Sequence, residues 1–227
     1  MPINDNTVES AFETPFSTLF DAPVAVADQE LIGSIGVVGM PSDWTHSSRI
    51  GARHGPEALR RATTRIVKEY LPESEETFFD ALHGGVWRRN VKQWIADHGD
   101  ATIDPASVEN TTAAIAEMTE RVRSAGGVPL ALGGDHYNSY PACLGYSQAL
   151  TKIDPNRRFG YIQIDGHLDF SDRLGAWGHF NHATNGRRIS ELPNVVLENM
   201  VWIGVTGWVD GGELKLIEDM GGKVYSS

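Results

Sequence analysis

Cysteine is all but absent. Cys143 is the single one in 227 residues, which excludes an internal disulfide and any zinc site built from several thiolates. Basic residues are scarce too: nineteen Lys and Arg stand against thirty Asp and Glu, a formal charge of −11. A nucleic acid or an anionic membrane surface needs a basic footprint that this balance does not supply. A small cationic substrate is compatible with it. No run approaches the eighteen consecutive apolar residues of a membrane-spanning helix. The N-terminus has neither the basic start nor the apolar core of a secretory leader, so a cytoplasmic protein is expected. With 41% hydrophobic and 22% charged residues, the composition is that of a water-soluble globular chain, long enough to bury a core without covalent staples.

Charge is unevenly spread. Residues 1–30 carry six acidic residues, and the first Lys or Arg of the chain is Arg49. This stretch also holds Phe12, Phe16, Leu19 and Phe20, so residues 1–30 are read as an acidic N-terminal arm. It either docks on the domain or a neighbouring subunit or forms a disordered leader. Residues 31–227 form one α/β domain.

Within that domain, short apolar runs alternate with helical patterns. Strands are expected at Ile35–Gly39, Gln93–Ala96, Val128–Leu132, Phe159–Ile164 and Val201–Val205. Helices are expected after Gly55-Pro56, over Pro105–Arg123, from Tyr140 to about Leu150, over Arg187–Leu192 and over Glu213–Asp219. Strands that are apolar throughout, alternating with helices, imply a mostly parallel sheet covered on both faces, a three-layer α/β/α architecture. Ligands bind such sheets beyond the carboxyl ends of the strands.

Two segments at expected strand ends carry the chemistry. In Leu132-Gly133-Gly134-Asp135-His136, the paired glycines permit a tight turn or close backbone approach. In Asp165-Gly166-His167-Leu168-Asp169, alternation along an extended segment would project Asp165, His167 and Asp169 together, with Leu168 turned to the core. Charged groups crowded there without a cation would repel one another and lose hydration. Carboxylates mixed with imidazoles, without thiolate, suit a divalent ion such as manganese or nickel better than calcium. One carboxylate can bridge two such ions, and a water shared between them is an activated nucleophile. Read singly, His136 and His167 could be core histidines and Asp135 and Asp165 helix caps.

With these motifs the chain resembles the ureohydrolases: arginase, agmatinase, guanidinobutyrase, formiminoglutamase and relatives. Gly133-Gly134-Asp135-His136 is similar to the family's first metal motif, and Asp165-Gly166-His167-Leu168-Asp169 to its second, usually Asp-Ala-His-x-Asp. Gly39-Met40-Pro41 and the stretch from Arg49 to Pro56 resemble the agmatinase-type N-terminal part, and Asp97-His98-Gly99-Asp100 resembles the family's Asp-x-Gly-Asp. Asn181-His182-Ala183-Thr184 resembles a segment that usually reads His-Gly-Thr. The resemblance implies a Rossmann-like fold with two divalent metal ions, manganese foremost and nickel in some relatives. It also implies hydrolysis of a guanidino C–N bond, usually with release of urea, and homo-oligomers such as trimers or hexamers.

Carried over by motif, His136 and Asp169 would hold one metal, His167 the other, and Asp165 both. Asp135 is a candidate catalytic residue, acting as a hydrogen-bond acceptor beside the metals, and His182 a candidate for substrate contact and proton transfer. Trp177 could wall a pocket around a small cation. Thr45 and Arg49 lie in a loop that in this family approaches the active-site mouth. The family's third motif, Ser-x-Asp-x-Asp, has no counterpart after Asp169. The chain is therefore expected to be the N-terminal portion of an active hydrolase and inactive by itself. The rival readings are a non-catalytic paralogue serving as subunit of a hetero-oligomeric hydrolase, and a metal-dependent deacetylase.

Overall fold

A computed structural model describes residues 17–25, 34–45, 47, 49–70, 77–79, 81–88 and 94–227. Most of the expected acidic arm, together with Gln93 and His46, lies outside the described residues.

Two parallel three-stranded sheets organise the domain. The first has the order β4 (Ile95–Asp100), β1 (Ile35–Met40), β5 (Val128–Gly133). The second has the order β6 (Phe159–Ile164), β7 (Val195–Val205), β8 (Lys223–Ser226). A small antiparallel hairpin pairs β2 (Thr77–Phe79) with β3 (Val86–Arg88). The helices are α1 (Gly55–Tyr70), α2 (Val108–Ser124), α3 (Ser139–Ile153), α4 (Asn185–Ser190) and α5 (Gly211–Asp219). Parallel strands joined through helices give the mostly parallel α/β fold that the alternating pattern implies.

Packing follows the alternation along β1. Val38 and Met40 face Ile115, Met118 and Val122 of α2, whereas Val37 joins Leu132 and Leu19 on the opposite side. Leu19 belongs to residues 17–25, which lie against α1 and β4: Thr64 Oγ1 donates to Thr18 O (2.7 Å), and Val24 bridges Asp97 in parallel fashion. Met200 and Trp202 of β7 form a core with Ile217 of α5 and with Leu168, Phe170 and Ile189. The indole of Trp202 donates to Leu168 O (2.8 Å), which fixes the chain directly before Asp169.

Several boundaries differ from the sequence reading, each for a local reason. Helix α2 begins at Val108 rather than Pro105, because Ser107 caps it by accepting from Asn110 N (3.1 Å). Helix α4 begins at Asn185 and ends at Ser190, ahead of the expected Arg187–Leu192. Strand β4 runs through Asp97-His98-Gly99-Asp100, past the apolar residues that suggested it. Strand β7 begins at Val195, its pairing with β6 interrupted between Phe159 and Tyr161, opposite the exposed Glu198 and Asn199 that hid it. The sheet is not covered on both faces throughout. Ile162, Ile164, Ile203 and Tyr225 occupy one face of β6–β7–β8 in matched register, and all four are exposed among the described residues.

The buried polar network of the first sheet centres on Arg60 of α1, which is 1% exposed. Its Nε and Nη2 donate to Asp97 (both 2.9 Å), Nη2 also reaches Gly99 O (3.0 Å), and Nη1 pairs with Asp100. Asp97, fully buried, additionally accepts from Leu19 N (3.0 Å) and Gly99 N (3.0 Å). Helix, strand and N-terminal segment thus share one ion pair, and Asp97 and Asp100 hold Arg60. Replacing Arg60 by Leu would strand the Asp97 charge. The expected loss is about 3–5 kcal/mol of stability, read as a lower urea midpoint.

Candidate metal centre

The carboxyl ends of β5 and β6 bring the two motifs together. Gly134 is required where β5 ends: a Cβ there would lie 2.1 Å from Ser42 O and 2.4 Å from Asn138 Nδ2. Such close approach lets Gly134 N and Asp135 N donate to Met40 O and Ser42 O (3.2 and 2.8 Å). The turn continues into a short 3-10 helix, His136–Asn138, capped by Asp135. His136 is thereby delivered from one sheet toward the other.

Beyond β6 the geometry departs from simple alternation. The strand ends at Ile164, and Asp165 to His167 form a bend in which Asp165 Oδ1 accepts from His167 N (2.9 Å). Asp169 sits at φ 47°, a left-handed conformation that costs a non-glycine residue roughly 1–3 kcal/mol. Asp tolerates that region better than most side chains. Leu168 is buried, as the pattern implied. The bend and the strained residue, not a pleated strand, set the directions of these side chains.

The result is a compact donor set. His136 Nδ1 lies 2.7 Å from Asp169 Oδ2 and 3.3 Å from Asp165 Oδ2, and donor atoms of all three residues fall within 4.8 Å of one another. On the other side of the same carboxylate, Asp165 Oδ1 lies 3.3 Å from His167 Nδ1. His167 is outside the three-residue group, and its side chain is 78% exposed. Asp165 therefore stands between two imidazoles, one oxygen toward each. Burial works against a charge on His136. The Asp169 hydrogen bond and the charges of Asp169, Asp165 and Asp135 outweigh it and raise the pKa of the ring.

Asp135, the candidate acceptor beside the metals, accepts hydrogen bonds on both carboxylate oxygens. It is 4% exposed; Oδ2 accepts from Thr45 N (3.0 Å) and Thr45 Oγ1 (2.9 Å), and Oδ1 from Tyr137 N (3.1 Å). Burial pushes its carboxyl pKa up, against the pull of the Thr45 and Tyr137 hydrogen bonds. Thr45 Oγ1 also accepts from His182 N (3.1 Å), so one threonine ties the loop after β1 to both the His136 turn and the His182 loop. The His182 ring is half-buried and meets the half-exposed Trp177 edge-on, with centroids 6.0 Å apart. His179 sits apart, beside Asp172. Cys143 packs beneath, its thiol pushed up by burial to about 12.

Two neighbours of the donor set escaped the sequence reading. Gln163 Nε2 lies 3.3 Å from His167 O and 3.5 Å from Asp169 Oδ2; an amide inside the otherwise apolar Phe159–Ile164 was its signal. Asn185 is fully buried, with Nδ2 3.1 Å from His136 Nε2. Its Oδ1 is buried without a hydrogen-bond partner among the described residues. Nothing in its spacing announced it beyond its place three residues after His182.

These features place acidic and imidazole groups at the strand tips of an α/β fold. The chain belongs to the arginase family, whose family model matches residues 33–227. It is 27% identical over 175 residues to guanidinopropionase of Pseudomonas aeruginosa, covering 77% of this chain and 49% of that protein. It is 30% identical over 158 residues to agmatinase of Pyrococcus horikoshii, covering 69% of this chain and 47% of that one. The chain thus spans about half the length of the curated relatives it matches. Among solved structures, proclavaminate amidino hydrolase of Streptomyces clavuligerus superposes with a TM-score of 0.69 at 22% identity, covering 94% of this chain and 64% of that one. Formiminoglutamase of Trypanosoma cruzi, solved with Mn2+, gives 0.67 at 23%, covering 92% and 64%. At such identities the likeness establishes the fold. No helix among the described residues is long and apolar enough to cross a membrane.

The loop that carries Thr45 has its own anchor. Asp43 accepts from Gly51 N (2.6 Å) and Arg53 Nε (2.7 Å). The Arg53 hydrogen bond is the main cause that lowers its carboxyl from 3.8 to about 2, against a smaller opposing effect of burial. A carboxyl depressed in the folded state stabilises above its unfolded value and loses that contribution as pH falls through the folded one. Thermal melts should therefore show Asp43→Asn flattening the acid limb between 3.8 and about 2.

Proposed function

We propose that this sequence belongs to a binuclear metal-dependent hydrolase of the agmatinase-like branch. It would cleave a guanidino C–N bond of an agmatine, guanidinobutyrate or guanidine type substrate and release urea. The observation that carries the reading is Asp165, with one oxygen 3.3 Å from His136 Nδ1 and the other 3.3 Å from His167 Nδ1. The donor set fits a divalent cation: one imidazole and two carboxylates crowd together, with no lysine, arginine or thiolate among them. His136 and Asp169 would hold one ion, His167 the other, and Asp165 both. Manganese suits these donors, and nickel accepts them too. The ions would supply Lewis acidity and lower the pKa of a shared water.

The chain's own residues do the rest. The acidic cluster attracts a guanidinium and repels anions. Trp177 and His182 form a wall on which a planar cation can lie, and His182 can carry a proton at its ring. Thr45 holds that wall in register with His136 through Asp135 and the His182 amide. A second reading, a non-catalytic subunit of a hetero-oligomeric hydrolase, is favoured by the small donor set, three residues in mutual reach among those described.

Protein isolated from its own cells should contain close to two manganese or nickel ions per subunit and release urea from at least one guanidino compound. Made alone, the 227-residue chain is expected to hold metal weakly and to release none. Asp165→Asn should lower metal occupancy and reduce urea formation on the order of 100-fold or more, since it removes a ligand of both sites. Metal-loaded native protein that yields no urea across a guanidino panel would sink the catalytic reading in favour of the subunit.

A further inference from the structure

We propose that the cleft between α2 and α3 is a binding site for a small organic cation with an apolar body, separate from the metal centre. The inference does not rest on the metal reading, since no residue of the donor set lines this cleft.

The sequence opens the cleft by where it places small residues. On α2, Glu109, Ala113, Ala116, Glu117 and Glu120 recur at helical spacing, so one face of the helix lines the space. On α3, Tyr140, Leu144 and Gln148 recur every four residues and form the facing wall. The helices touch where Gly145 meets Ala116, because a Cβ on Gly145 would collide with Ala116 O. Beside that contact the alanines leave room. The cavity measures about 350 Å³, within the range that holds a small molecule.

Its chemistry selects a positive charge. Tyr140 stacks on Phe180 with centroids 5.9 Å apart, and Tyr137 lies 6.2 Å from Tyr140. The Tyr137 hydroxyl shares a 2.5 Å hydrogen bond with Thr112 Oγ1, which fixes that ring. Three glutamates line the cleft, and no lysine, arginine or histidine does. Glu120 is paired with Lys152. Glu109 accepts from Ser107 Oγ (3.2 Å), a neutral donor. Glu117 is exposed and has no ion pair among the described residues. Ring faces and uncompensated carboxylates both attract a cation, while the alanines and Leu144 take an apolar body. An anion would be repelled, and a neutral ligand gains nothing from the carboxylates.

The test uses benzyltrimethylammonium, a cation of this class with no guanidino carbon to hydrolyse. Titrated into the 15N-labelled 227-residue chain with chelator present, it should shift the amides of Glu117, Tyr137, Tyr140 and Phe180, and calorimetry gives its affinity. Phenylacetate, an anion of similar size, should bind at least about 10-fold more weakly. Tyr140→Leu should weaken cation binding roughly 3–30-fold, with Tyr140→Phe near wild type. Glu117→Lys alters an exposed side chain and keeps the test sharp even if the leucine variant does not fold. It should weaken binding roughly 5–10-fold at low salt and less at high salt. Absence of binding, shifts confined to the residues around His167 and Asp169, equal affinity for phenylacetate, or Glu117→Lys equal to wild type overturns the proposal. Concentration-dependent shifts of the same amides without the cation would assign the cleft to a second copy of the chain, and overturn it too. Each of these outcomes leaves the metal reading standing.

Discussion

Two carboxylates reach one imidazole, at 2.7 and 3.3 Å, at the tips of strands from different sheets. The 2.7 Å approach of Asp169 to His136 and the placement of Asp165 between two rings gather negative charge where water cannot fully solvate it. An arrangement of this kind persists only if the surrounding structure over-determines it. Here the determinants are a glycine whose Cβ would collide with Ser42 O, an aspartate in the left-handed region, a buried indole holding the preceding carbonyl, and a threonine clipped to Asp135. None of these residues needs to touch a substrate. Together they fix where the donors point.

The first sheet supplies a rigid base by different means. Arg60 and Asp97 are both buried and fully engaged, and they join α1, β4 and the segment around Leu19. A buried ion pair is weak evidence for net stability, since each partner loses hydration. Its structural effect is to tie helix to strand through four hydrogen bonds from one guanidinium. The loop after β1 leads from this sheet to Thr45.

Much of this was legible in the sequence. The glycine pair before Asp135 announced a close approach, the apolar strands announced a parallel sheet, and the two motifs announced convergence at strand ends. Illegible parts fall where a polar residue does a buried job. Asp97 and His98 hid the length of β4, because hydrophobicity reads a charged residue as the end of a strand. Glu198 and Asn199 hid the first half of β7 for the same reason. Asp135 was legible as an acceptor, but its partners were not: Thr45, which donates to it, is ninety residues away. Asn185 meets a ring forty-nine residues distant, a contact that no local pattern encodes.

The open face of β6–β7–β8 has a consequence for how such a chain must be handled. Ile162, Ile164, Ile203 and Tyr225 make a β-branched and aromatic patch bounded by an edge of β6 that pairs with no other strand among the described residues. Surfaces of that composition template strand addition and seed insoluble aggregates. The same alternation that directs Tyr161 and Trp202 inward obliges these residues to face outward. Sheet register therefore decides where the chain presents its aggregation-prone surface.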